Sequence, residues 1–145
     1  MVAENFSPFS TLHRILKKWE GTKSMVLANT KKAIESLYLG VCTVYIREKY
    51  LDPLTKQTNF TETAIITDQP CRLSYSRISP NTETDRVSQQ HQVIKLFIDS
   101  SLDIPAGCKI IVTQNNKTQA YKSSGVPAVY RYHQEIELEI FERWA

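Results

Sequence analysis

Up to Gly40 the apolar residues of this chain recur every three or four positions, and beyond it they recur every second position. That change of period constrains the fold more than any other feature. A helix repeats a face about every 3.6 residues and a strand every 2. The first forty residues therefore read as a helical arm, 1–40, and the remaining ones as a β-barrel domain, 41–145. In the arm, Leu12, Ile15, Leu16 and Trp19 form one apolar stripe, with Ser10 placed to cap it and Gly21 to stop it. Its other face carries His13, Arg14, Lys17 and Lys18. A second stripe holds Leu27, Ile34, Leu37 and Tyr38, with Ser24 as cap and Gly40 in the position of a helix-ending glycine.

After Gly40 the strands follow in quick succession. Val41 to Tyr50 is rich in β-branched and aromatic residues and is predicted as a strand ending at the turn Asp52-Pro53. Phe60 to Thr67 is a second strand, which Asp68-Gln69-Pro70 is expected to break before a third begins at Cys71. Val93 to Ile98 follows. Asp103 to Gly107 reads as a turn, and Cys108–Gln114 and Thr118–Lys122 as a hairpin closed by Asn115-Asn116. Val129 to Phe141 is the last strand. In it Ile136, Leu138 and Ile140 alternate with Glu135, Glu137 and Glu139, so one face is buried and the other is wet or paired. The phase changes at Phe141 and Trp144, as a bulge or a terminal anchor would cause. The fold class is mainly β: a small antiparallel β-barrel or sandwich with an N-terminal helical arm and one long loop. That loop is Ser76 to Gln92, polar and without period, long enough to be a functional segment that orders on assembly.

Charge and chemistry narrow the function. Residues 1–40 hold six Lys/Arg and three Asp/Glu, and the rest of the chain holds twelve of each, so the excess of +3 sits on the arm. A charge-neutral body argues against a dedicated DNA-binding domain, which carries a basic face. No catalytic motif, glycine-rich phosphate cradle or zinc-ligand spacing occurs. The chain reads as non-enzymatic, with no cofactor and no metal. No stretch approaches the length of a membrane span. With Glu4 and no apolar core, the N-terminus does not read as a signal peptide, and an intracellular setting with Cys42, Cys71 and Cys108 as buried free thiols is expected.

The series Ala33–Tyr38 with Gly40, Cys42–Tyr45, Thr67–Tyr75, Lys95–Ile98, Asp103–Gly107, Lys109-Ile110 and Val112–Gln114 resembles a family of small proteins from bacteriophage and prophage morphogenesis clusters. The resemblance is closest over Tyr121-Lys122, Ser124-Gly125, Pro127–Tyr130, His133–Ile136 and Phe141–Ala145. These are head-closure proteins, also called head-completion or stopper proteins, of the head-to-tail connector in phages of Gram-positive hosts. The resemblance implies a virion protein of the neck, assembled in the host cytoplasm as a ring of twelve copies. Its neighbours would be the portal and adaptor on the head side and the tail terminator or tail tube on the other. Non-specific contact with packaged DNA is implied, and no membrane. Residues 1–24 fall outside the family pattern.

On this reading Leu12, Ile15, Leu16, Trp19, Glu135, Glu137 and Glu139 are candidates for a subunit or partner interface. Ser79, Asn81, Thr84, Arg86 and Gln89 are candidates for a channel or inter-subunit loop. Another neck component, a tail terminator or an adaptor, is the nearest alternative, though adaptors are mostly helical. From a different class, an oligonucleotide-binding barrel would stack bases on Tyr38, Tyr45, Tyr75, Tyr121 and Tyr130.

Overall fold

A computed structural model describes residues 25–78 and 91–145 of the chain. Residues 25–35 form a helix, α1. Seven strands follow: β1 (Gly40–Leu51), β2 (Thr58–Ile78), β3 (His91–Ile98), β4 (Lys109–Gln114), β5 (Lys117–Ser123), β6 (Ala128–Val129) and β7 (Gln134–Ile140). They hydrogen-bond in the order β3-β2-β1-β4-β5-β7-β6, and β3 also pairs with β7. The sheet thus closes on itself as an antiparallel barrel of β3, β2, β1, β4, β5 and β7. The short β6 extends the wall beside β7, pairing Ala128 with Glu135.

Alternation explains the core strand by strand. Cys42 and Val44 of β1, Cys71 and Leu73 of β2, Leu96 and Ile98 of β3, Ile110 and Val112 of β4, and Ile136 and Leu138 of β7 are all buried. Each pair is two residues apart, so one face of each of these five strands points inward. Ile104 and Cys108, from the β3–β4 connection, join the same cluster. The three cysteines, distant in sequence, meet in this core as buried free thiols. Hydrogen bonding to Cys71 together with burial raises the pKa of the Cys42 thiol, and burial pushes Cys108 up to about 11. Both remain protonated and serve as small apolar filling.

Two glutamine side chains, Gln134 buried and Gln114 half-buried, hold places where strands end. Gln134 Nε2 donates to the carbonyls of Asp99 and Leu102 at 2.7 and 2.8 Å, fixing the turn after β3. Gln114 Oε1 accepts from Leu73 N at 2.8 Å and its Nε2 donates to Leu73 O at 3.3 Å. β1 begins at Gly40, opposite Cys71, so Leu73 lies beyond its reach and the Gln114 amide takes the place of a strand.

Several expectations need correction. Gly40 does not end the helix in a left-handed conformation: it is the buried first residue of β1, and its φ is not positive. A Cβ there would meet Gln114 Oε1 at 3.0 Å and Thr113 O at 3.1 Å, so close packing selects the glycine. Asp68-Gln69-Pro70 does not break the chain into two strands, because β2 runs unbroken from Thr58 to Ile78. Its register against β1 slips between Cys42 and Val44 and again between Val44 and Tyr45, with Asp68 at φ 49°. The turn-like residues make bulges, not a break. Pro70 is tolerated because β2 has only β1 beside it there, the β3 pairing starting at Arg72. The polar segment 76–92 is shorter than expected: Ser76, Arg77 and Ile78 pair with Val93, Gln92 and His91. The final strand is likewise shorter, β6 being separated from β7 by residues 130–133. The Asn115-Asn116 hairpin has the expected geometry, with φ of 52° and 60°.

Candidate interaction surfaces

β1 and β2 are longer than the barrel needs. β4 pairs with β1 only from Val41 to Tyr45, and β3 pairs with β2 only from Arg72 onward. The remainder, Ile46–Leu51 against Thr58–Thr63, is a two-stranded ribbon that leaves the barrel just past the two bulges. Burial along β1 stops at the same place, every residue from Arg47 to Leu51 being exposed. The ribbon ends in a turn where Asp52 Oδ1 accepts from Leu54 N at 2.9 Å and Lys56 N donates to Asp52 O at 2.9 Å. The hydrogen bond from Leu54 N, with those from the Thr55 hydroxyl and N–H, holds the Asp52 carboxyl below its ordinary pKa. Tyr50, Leu51, Leu54 and Phe60 remain uncovered on this ribbon, Leu54 being 93% exposed. The Arg47 guanidinium lies 3.7 Å from the centre of the Phe60 ring.

The base of the ribbon is clasped by the C-terminal residues. Trp144 Nε1 donates to Glu62 Oε1 at 2.6 Å, Lys109 Nζ lies 3.0 Å from Glu62 Oε2, and Arg47 Nη1 donates to Ala145 O at 3.3 Å. Phe141 packs edge-on against Trp144. The Trp144 and Lys109 hydrogen bonds lower the Glu62 pKa. The phase change at Phe141 and Trp144 is thus a terminal anchor, β7 ending at Ile140.

A second surface lies at the other end of β1. Ile34, Leu37 and Tyr38, from α1 and the turn after it, face Arg72, Phe97 and His133 across a groove of about 340 Å³. Lys31 Nζ holds α1 in place through Asp99 Oδ2 at 3.2 Å. Tyr130 stacks on His133 at 4.9 Å, and the His133 ring lies 5.9 Å from that of Phe97. The Tyr38 hydroxyl is buried and has no hydrogen-bond partner. Burial raises its pKa, so it is a neutral donor.

The sequence-predicted residues fall in different places. Leu12, Ile15, Leu16 and Trp19 lie outside the described residues, as do Ser79, Asn81, Thr84, Arg86 and Gln89. Glu135, Glu137 and Glu139 line the outer wall of β7, which is no edge strand, having β3 on one side and β5 with β6 on the other. Lys95 and Lys122 stand opposite Glu137 and Glu139 in register. Glu135 meets Lys95 Nζ at 3.2 Å and His133 Nε2 at 3.5 Å, and Ser124 Oγ donates to Glu139 at 3.3 Å. Much of that negative row is answered within the chain. The tyrosines do not form one stacking platform. Tyr121 is buried with its hydroxyl 3.2 Å from that of Tyr75, Tyr38 and Tyr130 sit around the groove, and Tyr45 lies near Lys109. Sequence reasoning missed the ribbon, although Tyr50-Leu51 and Leu54 on either side of Asp52-Pro53 mark an apolar turn.

Among the described residues no three His, Cys, Asp or Glu side chains converge as a metal site would require, and no helix is long and apolar enough to cross a membrane. No family model matches the chain, and no curated protein does. Among solved structures the chain is similar to the phage-like element PBSX protein xkdH from Bacillus subtilis. The identity is 18% and the TM-score 0.45, over 70% of this chain and 94% of that one.

Proposed function

We propose that this chain is a structural subunit of a phage neck: a head-closure ring that joins the portal and adaptor to the tail and helps retain packaged DNA. The observation that carries the reading is an internally packed barrel that leaves Tyr50, Leu51, Leu54 and Phe60 exposed on an element outside its core. Large apolar side chains left in water on both faces and at the tip of a projecting ribbon are a liability unless another surface covers them. The ordered series of segments that resembles head-closure proteins, from Ala33 to Ala145, supports the same role. So does the charge balance of residues 41–145, with twelve Lys/Arg and twelve Asp/Glu. A body without net charge has no strong electrostatic hold on DNA, as expected of a part that works by joining protein surfaces. On this reading the chain catalyses nothing and acts by completing surfaces, its partners being further copies, the portal and adaptor, and the tail terminator or tail tube.

Deleting the gene from the phage or prophage that encodes it tests the proposal. The expected result is filled heads that lose DNA and carry no tails, with images of wild-type particles placing the barrel in a ring at the head–tail junction. Normal tailed particles from the deletion would overturn the reading. Barrel density in a sixfold ring at the tail end would replace it with a tail terminator.

A further inference from the structure

We propose that the tip of the β1–β2 ribbon of one copy seats in the groove between α1 and the barrel of a second copy, so that copies join head to tail. The proposal rests on the assembly reading above and names the contact through which it is made. The two surfaces are unlike each other. One is convex, carrying Leu51 and Leu54 at 64 and 93% exposure; the other is the concave groove of about 340 Å³. They also lie at opposite ends of β1, whose twelve residues span roughly 40 Å at about 3.3 Å each. A ribbon of this reach cannot fold back into its own groove. Two complementary patches facing away from each other give a heterologous contact, which closes into a ring when the rotation allows.

The polar groups at the two surfaces also match. Arg72 on the groove wall is a donor within reach of solvent, whereas the Tyr38 hydroxyl is enclosed and only the body of that side chain lines the groove. The turn at the ribbon tip offers acceptors for that guanidinium, because the carbonyls of Pro53, Leu54 and Thr55 take no part in its own hydrogen bonds. Arg72 on the groove wall and Asp52 at the tip carry opposite charge. The areas fit weak pairing strengthened by ring closure. Tyr50, Leu51, Leu54 and Phe60 are 49, 64, 93 and 46% exposed and, spread over both faces of the ribbon, offer at most on the order of 500 Å². A stable two-body contact needs about 800 Å² from each partner. One tip in one groove therefore falls short, while a copy in a closed ring uses both of its surfaces and gains two contacts.

Photo-cross-linking of the full chain tests this. A benzophenone amino acid at position 54, in a mixture of isotopically light and heavy protein, is expected to give hybrid adducts to peptides containing Leu37, Tyr38, Arg72 or His133. Leu54→Glu leaves the thermal unfolding curve unchanged, since the side chain is already in water, and weakens self-association about tenfold or more by sedimentation. Arg72→Ala, which removes the groove's guanidinium, weakens it to a smaller extent. Absence of hybrid adducts, adducts to another face or another protein, or unchanged association of the Leu54→Glu variant overturns the proposal. If one of these is seen while particle images still locate the chain in the neck ring, the docking contact alone is wrong. If the chain is absent from that ring, the role itself is wrong.

Discussion

Gln114 does for Leu73 what a neighbouring strand would do, since β1 stops at Gly40 and leaves that peptide unit without a partner. Truncating it orphans a half-buried N–H and C=O together. Gln114→Ala is therefore expected to cost about 2 kcal/mol in urea unfolding, and a loss below a few tenths would mean that water replaces the amide without penalty. Gly40→Ala presses on the same side chain, its added Cβ lying 3.0 Å from Gln114 Oε1, so the two substitutions should be less than additive. Glu62 carries the other prediction at this scale. Its hydrogen bonds from Trp144 and Lys109 hold the folded carboxyl below the ordinary value of 4.5. A depressed folded pKa means that the anchoring is fully present above 4.5 and is lost as pH falls through the lower folded value. Trp144 emission, followed in a Trp19→Phe background, is expected to shift in that acidic window, and Glu62→Gln is expected to abolish the titration. Emission that does not move with pH would show that the clasp is absent in solution.

Among the elements, the ribbon stands apart from the barrel in its energetics. An isolated two-stranded hairpin is marginal in water, and this one has its last core contact at Ile46. Its order comes from the bulges and the clasp at its base, and its tip residues add nothing to the core. Replacing residues 48–61 by a two-residue Asn-Gly turn between Arg47 and Glu62, which already face each other in register, should leave stability within about 1 kcal/mol by thermal unfolding. A larger loss would mean that the ribbon packs on the body. The bulges also explain why the chain looked broken at Asp68-Gln69-Pro70. Turn-forming residues and bulge-forming residues are the same residues, and only a partner strand distinguishes the two outcomes. The alternation of β7 was legible for the opposite reason: a strand with one buried face writes its period directly into Ile136, Leu138 and Glu137.

At the scale of the whole molecule, local chemistry and long-range pairing contributed different things. The helix before Gly40, the strands after it, the Asn115-Asn116 hairpin, the inward positions Ile136 and Leu138 of β7 (though not Ile140, which is 61% exposed at the strand's end) and the burial of all three cysteines follow from period, turn chemistry and hydropathy, which act between residues close in sequence. Closure of the barrel through β3 and β7 does not, because strand partners forty residues apart are chosen by which register buries every inward face at once. Nor does the projection of the ribbon, which depends on where β4 and β3 stop pairing. The groove beneath α1 arises in the same way, from Tyr38, Arg72, Phe97 and His133, four residues that no local pattern links. By itself the sequence determined a mainly β, charge-balanced body with a helix ahead of it. Which apolar side chains that body leaves outside was decided only when the strands met, since exposure is a property of pairing and not of any one segment.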